Sequence, residues 1–225
     1  MDRKFMAGVR ATLPVCLGVI PVGMSFGLLG VQAGMTGGQS VLMSALVFAG
    51  AAQLMAVNLI SRGAAVGTII LATFFINLRH IVMSSSVMTR LRDTPLWKRL
   101  LGAYVLCDET FAVFSLSEEQ SIEFLFGANA AIYVTWMLSN VVGCALNQVL
   151  PELVTKSFAI AFYAAFLGML LPSVRGRRRL VLLAALTAAL NFLLQLVLPA
   201  SWAVICSMIL GAAAGTFFVE EGDLA

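Results

Sequence analysis

The sequence predicts an all-α, polytopic integral membrane helix bundle of about seven or eight membrane segments, forming a single domain over 1–225. Two observations predict it. Of the 225 residues, 60% are hydrophobic and only 11% charged, whereas an ordinary soluble domain carries roughly a quarter charged residues. A water-facing surface cannot be built from so few charges. In addition, apolar stretches near or above the roughly 20 residues that cross a bilayer recur from end to end, and no linker is long enough to divide the chain.

Taken in order, Arg3, Lys4 and Arg10 precede the first apolar run, which superficially resembles a signal peptide. The run has no convincing small-x-small cleavage site and more hydrophobic segments follow it, so no cleavable signal is expected. Helices are expected near 12–31, 40–60, 65–88, 99–116, 126–149, 157–171, 180–198 and 202–219, each an apolar run bounded by charge or by Gly/Pro clusters. The joints at 32–39 and 199–201 are short, which implies tight antiparallel hairpins or partly re-entrant segments.

The first helix reads LPVCLGVIPVGMSFGLLG, with Pro14 and Pro21 and with Gly18, Gly23, Gly27 and Gly30. Such a helix is expected to be close-packed, kinked or broken. It serves either as a packing face of small residues or as a discontinuous helix whose exposed backbone binds substrate. Segments one to three and five to seven have similar lengths, and an offset of 114 residues aligns Ser25 with Ser139, Phe48 with Phe162, Thr73 with Thr187 and Asn77 with Asn191. A three-helix repeat joined by a linking helix would produce this pattern.

The net charge of +3 arises from 14 Lys+Arg against 11 Asp+Glu. The basic residues gather at helix ends without interleaved aromatics, a pattern of membrane orientation that does not fit a nucleic-acid partner. Basic clusters lie at the N-terminus, at 90–99 and at 175–179, and acidic groups at 118–123 and 220–223. If every segment spans, neighbouring basic clusters fall on opposite sides, against the positive-inside tendency. Either some segments are re-entrant or the rule is broken. Cys16, Cys107, Cys144 and Cys206 lie in apolar segments without metal-ligand spacing, so they read as inert, and neither a metal nor a cofactor is expected.

Charges inside candidate segments mark the chemistry. Arg79 lies in the third, and Asp108 and Glu109 lie in the middle of the fourth. Each costs about 2.5 to 3.5 kcal/mol at a helix centre and therefore requires a partner or a wet cavity. Asn77 and His80 flank Arg79, so this helix is expected to face the acidic pair. One outcome is an ion pair that only locks two helices. The other is a carboxylate that exchanges a coupling proton, since burial disfavours its charged form, with His80 either sharing that role or serving as a structural residue. Gln53 follows Gly50, Ala51 and Ala52, where close backbone approach would leave its amide facing a cavity. Asn58, Asn129, Asn140, Asn147, Asn191 and Gln195 read mostly as interhelical hydrogen-bonding residues.

Gly23-Met24-Ser25-Phe26-Gly27 matches G-x-S-x-G. With His80 it permits an intramembrane serine hydrolase as an alternative, although the strand-turn-helix setting of that motif is absent. No P-loop, H-E-x-x-H or dinucleotide fingerprint is present, so the chain is not expected to be an enzyme. A non-transporting structural membrane subunit is the third reading.

Four motifs in one order, PVGMSFG, LMSALVFAGAAQLMA, NLRH and DETFAV, resemble the AzlC family of branched-chain amino acid permeases over roughly the first half of the chain. One departure is Leu54 after Gln53, where an aromatic residue is expected. The resemblance implies the large subunit of a bacterial cytoplasmic (inner) membrane exporter that works with a small hydrophobic AzlD-type subunit and carries branched-chain amino acids such as valine. On that reading an aliphatic amino acid binds near the bilayer midplane. Its carboxylate lies on backbone N–H groups near Ser25, Phe26 and Gly27, with Gln53 and Asn77 as neutral donors. Its ammonium lies towards Asp108 or Glu109, and Arg79 holds the acidic pair when substrate is absent. Proton exchange at a shared carboxylate would make the transport an antiport.

Overall fold

The computed structural model describes residues 3–147 and 178–218, and among these residues the only regular secondary structure is helical. The helices are α1 (Arg3–Gln32), α2 (Gly37–Val47), α3 (Gly50–Ser61), α4 (Val66–Arg90), α5 (Leu96–Tyr104), α6 (Asp108–Leu116), α7 (Ile122–Leu146), α8 (Arg178–Leu194) and α9 (Ala200–Phe218). Three of them, α1, α4 and α7, are both long and apolar enough to cross a membrane. The expected helix at 157–171 and the acidic group at 220–223 lie outside the described residues.

The first helix is continuous and close-packed, one of the forms expected of it, and it is not broken. Pro14 and Pro21 lie inside it, and a membrane helix tolerates such prolines where a neighbour packs against it. That neighbour is α7. Gly8 abuts the backbone of Phe124 and Ala128, Gly127 that of Phe5 and Val9, Gly23 the Ser139 side chain, and Gly143 the backbone of Met24. The contact positions rise together, so α1 and α7 run in the same direction and touch along most of their length. A side chain at any of these glycines would collide with the facing helix, which is the small-residue logic of helix association in lipid.

A correction concerns the segments at 40–60 and 99–116, each expected as one helix. Both are broken at the middle. In the first, α2 runs antiparallel to α7. Gly37 lies beside Cys144, Ser40 Oγ donates to Asn140 Oδ1 at 3.1 Å, and Tyr133 Oη donates to the Ala45 carbonyl at 3.1 Å. The chain then turns at Phe48, a left-handed residue with φ 42° and ψ 45°, in a region that non-glycine residues seldom occupy. After the turn α3 starts at Gly50.

The second broken segment approaches from the other end. Lys98 Nζ lies 3.8 Å from Glu123 at the start of α7, Gly102 packs on Ile122 and Leu125, and Tyr104 Oη donates to the Leu46 carbonyl at 2.7 Å. So α5 runs inward beside the first half of α7 until it meets the tip of α2. Next, α6 returns, and its Phe114 joins Ile122, Phe124 and Leu125 in one buried cluster. Met83, Val87 and Leu91 belong to the same cluster; α4 therefore ends where α7 begins. Its start lies at the opposite end, next to the end of α3, where Leu59 is buried against Ala72.

The path is thus a span (α1), a re-entrant hairpin (α2–α3), a span (α4), a second re-entrant hairpin from the opposite end (α5–α6) and a span (α7). The N-terminal and 90–99 basic clusters therefore share one end, and for these two clusters the conflict with the positive-inside tendency disappears because two segments turn back; the stretch leading to the 175–179 cluster lies outside the described residues. Lys4 reaches Glu119 at 3.2 Å on that same end. Beyond α7, α8 and α9 form an antiparallel pair in which Gly211 packs on Thr187 and Ser207 Oγ donates to Asn191 Oδ1 at 3.3 Å.

Candidate functional site

The two hairpin tips meet in a cavity of about 40 Å³ between α1, α4 and α7. Ala49, Gly50 and Ala51 line it from the first tip, and Cys107, Asp108 and Glu109 from the second. Arg79 and His80 approach from the middle of α4, Val22 from α1 and Trp136 from α7. Every strand of the expected chemistry except the G-x-S-x-G motif, Gln53 and Asn77 therefore converges on one point, far from either end of the spanning helices.

The electrostatics of the cavity come from two helix starts and one cation. Asp108 and Glu109 occupy the first turn of α6, where the helix dipole favours negative charge. That start is closed by Thr110, whose Oγ1 accepts the Cys107 N–H at 3.1 Å. Arg79 Nη2 pairs with Asp108 Oδ2 at 2.7 Å, and the two side chains keep 40% and 41% of their surface exposed. At the start of α3 the N-cap Ala49 side chain caps nothing, so the first-turn N–H groups of Gly50 and Ala51 present partial positive charge, the arrangement that receives carboxylates and other anions. The cavity thus offers an anion-seeking and a cation-seeking helix start within one small volume.

A polar cluster supports the first tip from behind. Gln53 is fully buried; its Oε1 accepts the Ala49 N–H at 3.2 Å and its Nε2 donates to Ser44 Oγ at 3.1 Å. Onto the same Ser44 oxygen converge Trp136 Nε1 at 3.1 Å and Asn140 Nδ2 at 2.7 Å. The amide of Gln53 therefore closes the turn and does not face the cavity. Asn140 acts between helices, as its class was expected to.

The remaining sequence candidates lie elsewhere. Ser25 is buried on α1, with Oγ donating to the Pro21 carbonyl at 2.8 Å. Phe26 is fully buried and stacks on Trp136 with ring centroids 5.9 Å apart, and Gly27 fits against Asn140. Neither Ser25 nor Gly27 lines the cavity that holds His80. Asn77 is half-buried on α4, and its Oδ1 is buried without a hydrogen-bond partner. Sequence reasoning missed Val22, Ser40, Ser44, Cys107 and Trp136. A usable signal existed in Ser40 and Ser44, spaced one helical turn apart like Trp136 and Asn140, which they face.

A polytopic helical membrane protein with opposed re-entrant hairpins and a charge-lined cavity at their tips is the class that this arrangement defines. The chain belongs to the AzlC family, a family of membrane transport proteins: the family model described as AzlC protein matches residues 14–150, a stretch that contains the whole cavity. The chain is 31% identical over 178 residues to an uncharacterized membrane protein of Archaeoglobus fulgidus, covering 78% of each chain. It is 27% identical to the inner membrane protein YgaZ of Escherichia coli, covering 84% of this chain and 81% of that one. It is 22% identical to the branched-chain amino acid transport protein AzlC of Bacillus subtilis, covering 62% of this chain and 56% of that one. No solved structure is significantly similar to the chain.

Proposed function

We propose that this chain exports branched-chain and related aliphatic amino acids, among them valine, leucine, isoleucine and methionine, across a bacterial cytoplasmic membrane in exchange for protons. The observation that carries the proposal is the meeting of the α3 start with the Asp108 and Glu109 start of α6 in one cavity. A zwitterion needs both. Its carboxylate would lie on the N–H groups of Gly50 and Ala51, which replaces Ser25 and Gly27 in that role because α1 is unbroken. Its ammonium would lie on Glu109 and Asp108, drawing Asp108 away from Arg79. The present cavity of about 40 Å³ accommodates about three water molecules, so substrate entry requires a hairpin to move.

The half-exposed Arg79–Asp108 pair supports a second subunit, since hydrocarbon cannot solvate such a pair and water or protein must cover it. We assign that cover to the small AzlD-type partner. Membrane location rests on the composition and on the membrane-protein relatives.

The test is valine and methionine efflux from preloaded proteoliposomes containing the chain with and without its small partner, across an imposed pH gradient. Gradient-driven efflux that requires the partner and disappears in Glu109→Gln is the expected result. A well-folded two-subunit complex that moves neither amino acid would remove the substrate assignment.

A further inference from the structure

Trp136 connects the polar cluster to the cavity. It is 6% exposed, its indole N–H is held by Ser44 Oγ at 3.1 Å, and its ring stacks on Phe26 with an interplanar angle of 25°. Two sides of the indole are therefore fixed. The far edge of its six-membered ring lies over Gly50, where an added Cβ would stand 3.0 Å from Cη2 and 3.4 Å from Cζ3. The same residue lines the cavity together with Val22 and the charged groups. A zwitterion held at its two charged ends has one part left to place, its side chain, and an immobilised aromatic edge is the largest apolar surface available to it there.

We propose that Trp136 is the specificity-determining residue of this cavity: its ring edge and Val22 form the wall that receives the substrate side chain, and Gly50 sets how close that wall stands to the zwitterion. The inference rests on the amino-acid reading above. A rigid wall of this kind limits side-chain size, while Ser44 and Phe26 keep the indole from swinging aside. Since one methylene in an apolar pocket changes preference by roughly 10- to 200-fold, moving the wall should reorder substrates.

The experiment compares alanine, valine, leucine and phenylalanine as competing substrates in proteoliposomes of the two-subunit complex, for the wild type, Trp136→Phe and Gly50→Ala. Trp136→Phe should shift the ratio of phenylalanine to valine transport upwards by about 10-fold or more. Gly50→Ala should shift preference the other way, towards alanine. In parallel, a Trp97→Phe/Trp202→Phe double variant leaves Trp136 as the sole indole, and its emission should change on titration with valine. Equal losses for all four amino acids in both variants, together with an unchanged emission, overturn the proposal while leaving the transport reading intact. Absence of any amino-acid transport by the wild-type complex overturns that reading, and this proposal with it.

Discussion

Asp108 and Glu109 stand side by side in sequence, but the fold gives them different surroundings. Asp108 is engaged by Arg79 at 2.7 Å, and no ion pair is formed by Glu109 among the described residues. Asp108→Asn should therefore release Arg79 and lower complex stability as well as efflux, whereas Glu109→Gln should chiefly abolish the dependence of efflux on the pH gradient. Thermal denaturation and efflux measured on both variants check this; equal melting shifts in the two would contradict the division of roles. The carboxylates, Arg79 and His80 were legible in the sequence because a charge in an apolar run is costly wherever it lies. Ser25 shows the limit of such reading. Its motif looked chemical, but the hydroxyl is bonded to the Pro21 carbonyl inside a packed helix, so a fluorophosphonate probe should leave the protein unlabelled. Labelling that vanishes in Ser25→Ala would restore the hydrolase alternative.

At the scale of elements, the support of the α2–α3 tip makes a sharp prediction. Asn140 bonds Ser40 and Ser44 with every polar atom of its side chain, and leaving such buried partners unpaired costs about 1–3 kcal/mol per group. Asn140→Leu should therefore destabilise the complex by a few kcal/mol and weaken transport of all substrates together, in contrast to the reordering expected at Trp136. Denaturation monitored by circular dichroism, alongside the four-substrate competition, separates the two. The α1–α7 seam is similarly exposed to test. Gly127→Leu would drive a side chain into the backbone of Phe5 and Val9, and overpacking of this kind costs about 1–3 kcal/mol or more, so the yield of folded protein should fall severalfold. Helix positions were legible from hydropathy to within a few residues at α4 and α7. The breaks at Phe48 and at 105–107 were not, because a re-entrant hairpin is as apolar as a span, and only the contacts of its two arms show that it turns back.

For the whole molecule, the topology places the N-terminal cluster, the 90–99 cluster and the 118–123 acidic stretch at one end, and the turns at 32–36 and 62–65 at the other. Arg3, Lys4, Arg90, Arg92 and Lys98 on that first end predict, by the positive-inside tendency, that it faces the cytoplasm. On a cysteine-free background, single cysteines at Asp93 and Gln120 should react with an impermeant maleimide only from the cytoplasmic side, and one at Gly38 or Arg62 only from outside. Opposite labelling of Asp93 and Gln120 would mean that the α5–α6 segment spans. By itself the sequence determined the all-helical membrane class, the family and the charged residues that line the cavity, because bilayer thickness and the cost of buried charge act on composition and spacing directly. The tertiary structure alone decided which apolar segments turn back, which helix starts line the cavity and which residues wall it. Those outcomes depend on contacts between residues about 60 to 120 positions apart, such as Tyr104 with Leu46 and Ser44 with Asn140, and no local pattern encodes them.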